Sequence, residues 1–244
     1  MIIQRAWIKE TAKFRFKQRY GMCVGAALLF LLLADDTPFN FFFGWNGYSN
    51  HGSLPKEIWP FISGFAGIAA LVYLFVGLPL RVGNAHFNRC VYNGWHTSVG
   101  DMFQRGFDDY GRNLGGMFLM NLFIALWSLL LIVPGIIKSY AYFAAPYILS
   151  EFPAVQPLDA ITLSRRMTNG YKRDLFLLDL SFIGWNLLSG LTFGLLGVFY
   201  VNPYYRTARA GFYEVLKANA LNTGAVSWWE LTGYPGGEGG RAGY

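Results

Sequence analysis

A long apolar stretch that breaks in its middle constrains this chain more than any other feature. The run from Trp127 to Ser150, WSLLLIVPGIIKSYAYFAAPYILS, carries Lys138 as its only charge and is interrupted at Pro134-Gly135. A looser copy, WNLLSGLTFGLLGVFYVNPYY, extends from Trp185 to Tyr205. An apolar helix of about 20 residues can cross a bilayer. Two such segments predict an all-α, multi-pass helical membrane protein.

Composition favours lipid as the solvent for much of the chain. Hydrophobic residues make up 54% of the 244 residues and charged residues only 14%, whereas about a quarter of the residues of a soluble domain are charged. The net charge of +6 is compatible with nucleic-acid binding. The basic residues instead follow a membrane-topology pattern, so we expect no nucleic-acid partner.

Residue types that carry catalysis or bind metals are scattered along the sequence. Cys23 and Cys90 form no paired framework and no CxxC spacing. The histidines stand in predicted loops without the spacing of metal ligands, at His51, His86 and His96. We therefore predict no metal, no cofactor and no enzymatic activity.

Charge and hydropathy divide the chain into three regions. Residues 1–20 contain six cations and one acid interleaved with large apolar residues, which predicts a basic amphipathic helix on the anionic cytoplasmic leaflet. Residues 21–216 form the predicted helical transmembrane domain, and residues 217–244, which end in a glycine-rich run, a flexible cytoplasmic tail. The predicted spans, about six, are 21–34, 58–80, 114–133, 136–150, 175–190 and 195–212.

Two segments have a second interpretation. Residues 21–34 have the length and basic flank of a signal-peptide core, but no small-x-small cleavage site follows them, which favours an uncleaved span. Phe103, Phe107 and Tyr110 recur at helical spacing after a capping pattern at Ser98. This spacing predicts an interfacial helix, with a partner-docking face as the alternative.

Basic residues are distributed unevenly between the two sides of this layout. With a cytoplasmic amino terminus, only Lys56 and Lys138 fall on the far side. The asymmetry satisfies the positive-inside rule and predicts that both termini are cytoplasmic. The cations on the cytoplasmic side are Arg81, Arg89, Arg105, Arg112, Arg165, Arg166, Lys172, Arg173, Arg206, Arg209, Lys217 and Arg241.

The two broken segments also align with each other. Residues 110–114 correspond to 171–175, and the match continues through Asn121 with Asp179 and Trp127 with Trp185. Two hairpins of the same orientation imply a parallel repeat about an axis along the membrane normal, with chance similarity of leucine-rich spans as the alternative. The repeat anchors are Trp127 and Trp185, and the predicted helix-break residues are Pro134, Gly135, Gly190, Gly194 and Pro203.

Three polar residues within the spans are candidates for function: Asn121, Lys138 and Asp179. A carboxylate at membrane depth is costly unless it is paired or hydrated. We expect Asp179 to hydrogen-bond Asn121, a Trp indole or a neighbouring backbone group and so to join the repeats; the alternatives are a proton or substrate role and interfacial solvation. We expect Lys138 near the outer boundary, directed outward, with binding of an anionic lipid or ligand as the alternative.

Several long motifs resemble a known family. They are PGIIKSYAYFAAPYILSE, DAITLSRRMTNGYKRDLFLLDLSFIGW, LTFG and NPYYRTARAGFYEVL, within residues 103–216. They resemble bacterial integral membrane proteins grouped as domain of unknown function nine-seven-five. The resemblance implies a multi-pass protein of the bacterial cytoplasmic membrane, largely of Gram-positive organisms, with no established activity to carry over. The glycine-rich tail and the aromatic loop at residues 39–48 depart from the family pattern.

Three classes of function are compatible with these features. The first is a non-enzymatic scaffold, assembly or envelope-associated factor, and the second is a transporter or lipid-handling protein that uses the broken helices around Asp179. An intramembrane enzyme is the third, but the serines lack a base within reach. The sequence identifies the lipid bilayer as a partner and indicates neither a protein partner nor an oligomeric state.

Overall fold

The computed structural model describes residues 4–34, 67, 68 and 70–233, and these contain helices and no strand, which confirms the all-α prediction. Most of the predicted second span and the loop before it, which contains Lys56, lie outside the described residues. The α-helices are α1 Arg5–Gln18, α2 Tyr20–Leu33, α3 Leu78–Asn93, α4 Val99–Phe107, α5 Tyr110–Leu130, α6 Ile132–Ala141, α7 Ala145–Glu151, α8 Pro157–Met167, α9 Lys172–Leu180, α10 Ile183–Leu191, α11 Asn202–Asn222 and α12 Trp228–Thr232.

Within the described residues, three helical stretches are long and apolar enough to cross a membrane. They are Ala70–Asn93, Tyr110–Leu130 and Lys172–Leu191. The pair α1 and α2, bent by 99°, adds a fourth if it counts as one span. The six predicted spans are not confirmed. The return segments are the main reason, since α6 has 10 residues and a span needs about 20.

Exposed apolar side chains are concentrated on two helical hairpins. Hairpin 1 consists of α5 and α6, and hairpin 2 consists of α10 and the segment 195–201. At their tips Leu129 is 87% exposed and Phe193 is 98% exposed. Exposed apolar surface on this scale marks a membrane or protein contact. The remaining helices enclose a hydrophobic core that includes Phe87, Ile148 and Phe212.

Hairpin 1 turns earlier than the sequence suggests. We predicted that Pro134-Gly135 ends the helix, but α5 ends at Leu130, and Leu131 takes an extended conformation with φ −159° and ψ 139°. Pro134 lies in the first turn of α6, where its missing N–H has no helical partner to lose. Gly135 packs so closely on Ser128 that a Cβ atom would collide with it, which holds the two helices together.

Hairpin 2 is also held together by a close contact between a glycine and a serine. Its turn falls within the predicted break between Gly190 and Gly194, where Gly194 has a φ of 82° that favours glycine. The return begins with a π-helical turn, Gly197–Val201, and Gly197 packs against the Ser189 hydroxyl. In its contact with a serine of the preceding helix, Gly197 is therefore the equivalent of Gly135.

A proline begins each of three helices that follow an apolar segment. Pro79, Pro146 and Pro203 lie in the first turn of α3, α7 and α11. The fixed φ of proline suits the first turn of a helix, and at Pro79 and Pro203 a π-helical turn leads directly into that turn. Pro203 was predicted to break a helix, but the helix continues through it because the π-helical turn before it joins α11 directly.

The ordered chain continues beyond the predicted boundary at residue 216. Helix α11 extends to Asn222, and α12 is fixed by a capping box between Ser227 and Glu230. A hydrogen bond from Arg166 lowers the pKa of Glu230 to about 2, and Leu231 is buried in the core. Residues 217–233 thus differ from the predicted flexible tail, and residues 234–244 lie outside the described residues.

Candidate functional site

Four charged side chains meet where α3, α7 and α11 converge. Arg89 of α3 forms an ion pair with Glu151 of α7. From α11, Lys217 donates to the Glu151 carboxylate at 2.7 Å and contacts the Glu214 carboxylate at 2.9 Å. All four side chains are at least four-fifths buried. We call this group the charge cluster.

The charge cluster is electrically balanced and linked by hydrogen bonds. Tyr213 donates to Glu151 at 2.7 Å, and Asn93 donates to Glu214 at 2.9 Å. Burial works against the ionised form of Glu151, but Lys217 and Arg89 outweigh it and hold the pKa of Glu151 below its usual value. Such additional hydrogen bonds help to offset the cost of burying charges; here they serve the two carboxylates, whereas Nε and Nη1 of Arg89 have ion-pair contacts and no hydrogen bond. The cluster therefore joins α3, α7 and α11.

Arg112 fixes the start of α5 on the rest of the molecule. Its guanidinium donates to the carbonyl oxygens of Leu149 at 2.9 Å, Val155 at 3.1 Å and Phe152 at 3.3 Å. Leu149 belongs to the last turn of α7, whose carbonyls have no partner within the helix. The favourable interaction of a cation with a helix carboxyl end adds to these bonds. Hairpin 1 is therefore anchored at its base.

Asp179 of α9 belongs to a chain of polar side chains that links α9 to α11. Tyr205 donates to the Asp179 carboxylate at 2.9 Å, and Arg209 donates to the Tyr205 hydroxyl at 2.9 Å. The Arg209 guanidinium also lies 4.8 Å from the centre of the Phe143 ring, a favourable cation–π distance. One tyrosine hydroxyl thus connects an acid and a base that would be costly to bury alone.

The other two polar candidates lie elsewhere. Asn121 is half-buried on α5 and shares no hydrogen bond with Asp179 in the described part of the chain; Tyr205 donates to Asp179 instead.

The Lys138 ammonium lies over the Trp127 ring, 4.6 Å from its centre. The charges of Arg165 and Lys172, predicted on the cytoplasmic side, act on the Lys138 ammonium. Helix α6 packs on α8, where Ser164 donates to the Ala141 carbonyl oxygen at 2.9 Å, so Lys138 lies near these cations and not where the sequence placed it, at the outer boundary.

The repeat anchors occupy similar positions in the two hairpins. Trp127 lies under Lys138 of α6, and Trp185 packs against Tyr200 of the return segment with ring centres 5.5 Å apart. Each tryptophan therefore touches the return half of its own hairpin, as packing anchors would.

Substituting Asp179 tests the role of the polar chain. Because Asn can still accept the Tyr205 hydrogen bond, we expect Asp179→Asn to lower the free energy of unfolding by about 1 kcal/mol. Asp179→Leu removes the acceptor, and we expect it to cost about 2–3 kcal/mol. Thermal unfolding in detergent measures both, with Asn121→Leu as the matched control on α5. Equal stability of all three variants would remove the structural role of Asp179.

The sequence missed the charge cluster although one local signal was available. Glu214 and Lys217 stand three residues apart on one helix face, a spacing that allows ion pairing. Nothing local pointed to Arg89 or Glu151. In the described part of the chain no group of three or more metal-binding side chains lies close enough together to hold a metal ion.

Comparison with known families bears on the hairpins, α11 and the helices between them. Residues 110–220 match the family described as "Protein of unknown function (DUF975)". This part of the chain belongs to that family. The DUF975 match confirms the resemblance noted in the sequence and includes both hairpins, Glu151, Glu214 and Lys217, but not Arg89. No curated protein and no solved structure matches the chain.

Proposed function

We propose that this chain is a non-enzymatic scaffold or assembly factor of the bacterial cytoplasmic membrane, with both termini in the cytoplasm. The charge cluster is the observation that carries the proposal. It uses Arg89, Glu151, Glu214 and Lys217 to join three helices, so these buried ionisable groups serve the architecture. The helices that the charge cluster joins, next to the apolar hairpins, are suited to presenting a fixed surface to other proteins.

The orientation of α1 supports attachment to the anionic cytoplasmic leaflet. Ile8, Ala12 and Phe16 are buried against the protein, and α1 is bent by 99° from α2. If α2 runs along the membrane normal, α1 lies in the plane of the interface. Its outward face exposes Trp7 and Phe14 next to lysines, the composition of an interfacial helix.

Site-specific photocrosslinking in intact cells tests the scaffold function. A crosslinker at Trp229, which is exposed on α12, should capture the same protein repeatedly, whereas one at Leu187 on hairpin 2 should capture mainly lipid. A cysteine at position 229 should react with a membrane-impermeant maleimide only after the membrane is opened. Repeated failure to capture a protein contradicts the scaffold, and labelling of intact cells contradicts the orientation.

A transporter or lipid-handling protein is the second candidate, and the half-buried Asp179 on a broken helix favours it. Against it, the hydrogen bond from Tyr205 already satisfies the carboxylate. Loss of a transport activity in Asp179→Asn, with stability retained, would support this candidate over the scaffold.

A further inference from the structure

Three cations from three separate helices meet beside hairpin 1. They are Lys138 of α6, Arg165 of α8 and Lys172 at the start of α9. The charges of Arg165 and Lys172 both act on Lys138. No carboxylate in the described residues forms an ion pair with any of the three. We call this group the cation site.

Buried contacts hold these cations close together. The Ala141 carbonyl, three residues after Lys138, accepts hydrogen bonds from Ser164 at 2.9 Å and Thr168 at 3.1 Å. Because Ser164 is fully buried and precedes Arg165, the Arg165 backbone is fixed next to α6.

The third cation is placed by an aromatic contact. The Tyr140 ring of α6 meets the Phe176 ring of α9 edge-on, with centres 6.1 Å apart. Phe176 is one helical turn from Lys172. These contacts place the residues that carry the three positive charges on neighbouring parts of α6, α8 and α9, and no ion pair within the described residues neutralises them.

The surroundings of the cation site are those of a membrane boundary. The Lys138 ammonium lies 4.6 Å from the centre of the Trp127 ring. Trp127, Ile137, Phe176 and Leu180 are exposed apolar residues. Lysine and tryptophan side by side, above an apolar surface, are typical of the headgroup level of a bilayer.

We propose that Lys138, Arg165 and Lys172 bind the phosphate of an anionic phospholipid whose acyl chains lie against hairpin 1. Clustered like charges repel each other, so a bound anion relieves a cost that the protein leaves uncompensated. The Arg165 guanidinium suits bidentate contact with phosphate, and the two lysines add point charges. This inference goes beyond the scaffold function and does not depend on it.

Lipid binding by the purified full-length protein in neutral detergent tests the site. The probe is phosphatidylglycerol, titrated with native mass spectrometry as the readout. The site variant is Lys138→Gln/Arg165→Gln/Lys172→Gln. The control variant, Arg105→Gln/Arg166→Gln/Arg173→Gln, removes the same charge from positions outside both the cation site and α1. Each cation near a lipid surface contributes about fivefold in affinity, so we expect a loss on the order of 100-fold in the site variant and little change in the control.

Further measurements distinguish specific lipid binding from general charge attraction and from binding of a free phosphate. Equal losses in the two triple variants would overturn the proposal, because general attraction to a basic protein would explain them. Inorganic phosphate should not displace the lipid, and full displacement would show that a free phosphate is the ligand. If the triple variant fails to fold, Lys138→Gln alone should lose about fivefold and Lys138→Arg should retain binding. Unchanged binding in Lys138→Gln would also overturn the proposal.

Discussion

Replacing Glu151 with alanine is expected to lower the free energy of unfolding by about 3–5 kcal/mol, the cost of removing one partner from a buried ion pair. Arg89 and Lys217 both contact this carboxylate, so its loss leaves two buried cations with Glu214 as their only acidic partner. The change corresponds to a fall in Tm of roughly 10 °C for a chain of this size. Thermal unfolding in detergent measures it.

Two controls distinguish the cost of leaving buried charges without a partner from the loss of an ion pair as such. Asp174→Ala removes the partner of Arg5 in a more exposed ion pair, and we expect it to cost at most about 1 kcal/mol. The double variant Arg89→Met/Glu151→Leu removes a complete pair and should recover most of the stability lost in Glu151→Ala. A Tm for Glu151→Ala equal to that of Asp174→Ala would show that the charge cluster does not hold the helices together.

The lowered pKa of Glu151 also predicts that the folded protein loses stability at acidic pH. Because the pKa of Glu151 is lowered in the folded protein, its contribution is complete above the unfolded value of about 4.3. It is lost as the pH falls through the lower folded value. The wild type should therefore lose stability over this acidic range, whereas Glu151→Gln should lack that component.

The second large effect is expected at Gly83, where α3 and α4 pack with their backbones in contact. A Cβ atom on Gly83 would collide with the Met102 carbonyl oxygen. On the facing helix, a Cβ atom on Gly106 would lie only 3.0 Å from the Pro79 carbonyl oxygen. Because backbone atoms cannot rotate away as a side chain can, we expect Gly83→Ala to cost about 3 kcal/mol or more. Chemical or thermal unfolding measures the loss.

Gly115 provides the opposite case. A Cβ atom at this α5 position meets nothing within 4 Å. Alanine has the higher helix propensity, so Gly115→Ala should raise stability by about 0.5–1 kcal/mol. A loss in Gly83→Ala no larger than the gain in Gly115→Ala would contradict the close packing of α3 on α4.

Local signals in the sequence predicted local structure well. The pattern at Ser98 gave a capping box, in which the Asp101 N–H donates to the Ser98 hydroxyl at 3.1 Å and the Ser98 N–H donates to the Asp101 carboxylate at 2.9 Å. The break near Gly194 was also located. Such features depend on neighbours within a few residues, which periodicity and residue type describe.

Contacts between distant segments were the part that the sequence could not provide. Glu151 meets Arg89 and Lys217 only because three helices converge. The partner of Asp179 is a tyrosine of α11, 26 residues away, whereas residue types alone favoured amide and indole partners. The packing of whole helices decides which polar side chains meet. Residue types and their spacing in a single sequence do not reveal that packing.

The short reach of α6 has a consequence for how hairpin 1 can occupy a bilayer. The seven residues from Ile132 to Lys138 rise only about 10 Å, against a hydrocarbon thickness of about 30 Å. With Lys138 at the phosphate level, the tip ends well before the far leaflet. A hairpin placed this way would add cross-sectional area to one monolayer and none to the other, in contrast to a full crossing by α5, whose 21 residues are long enough for it.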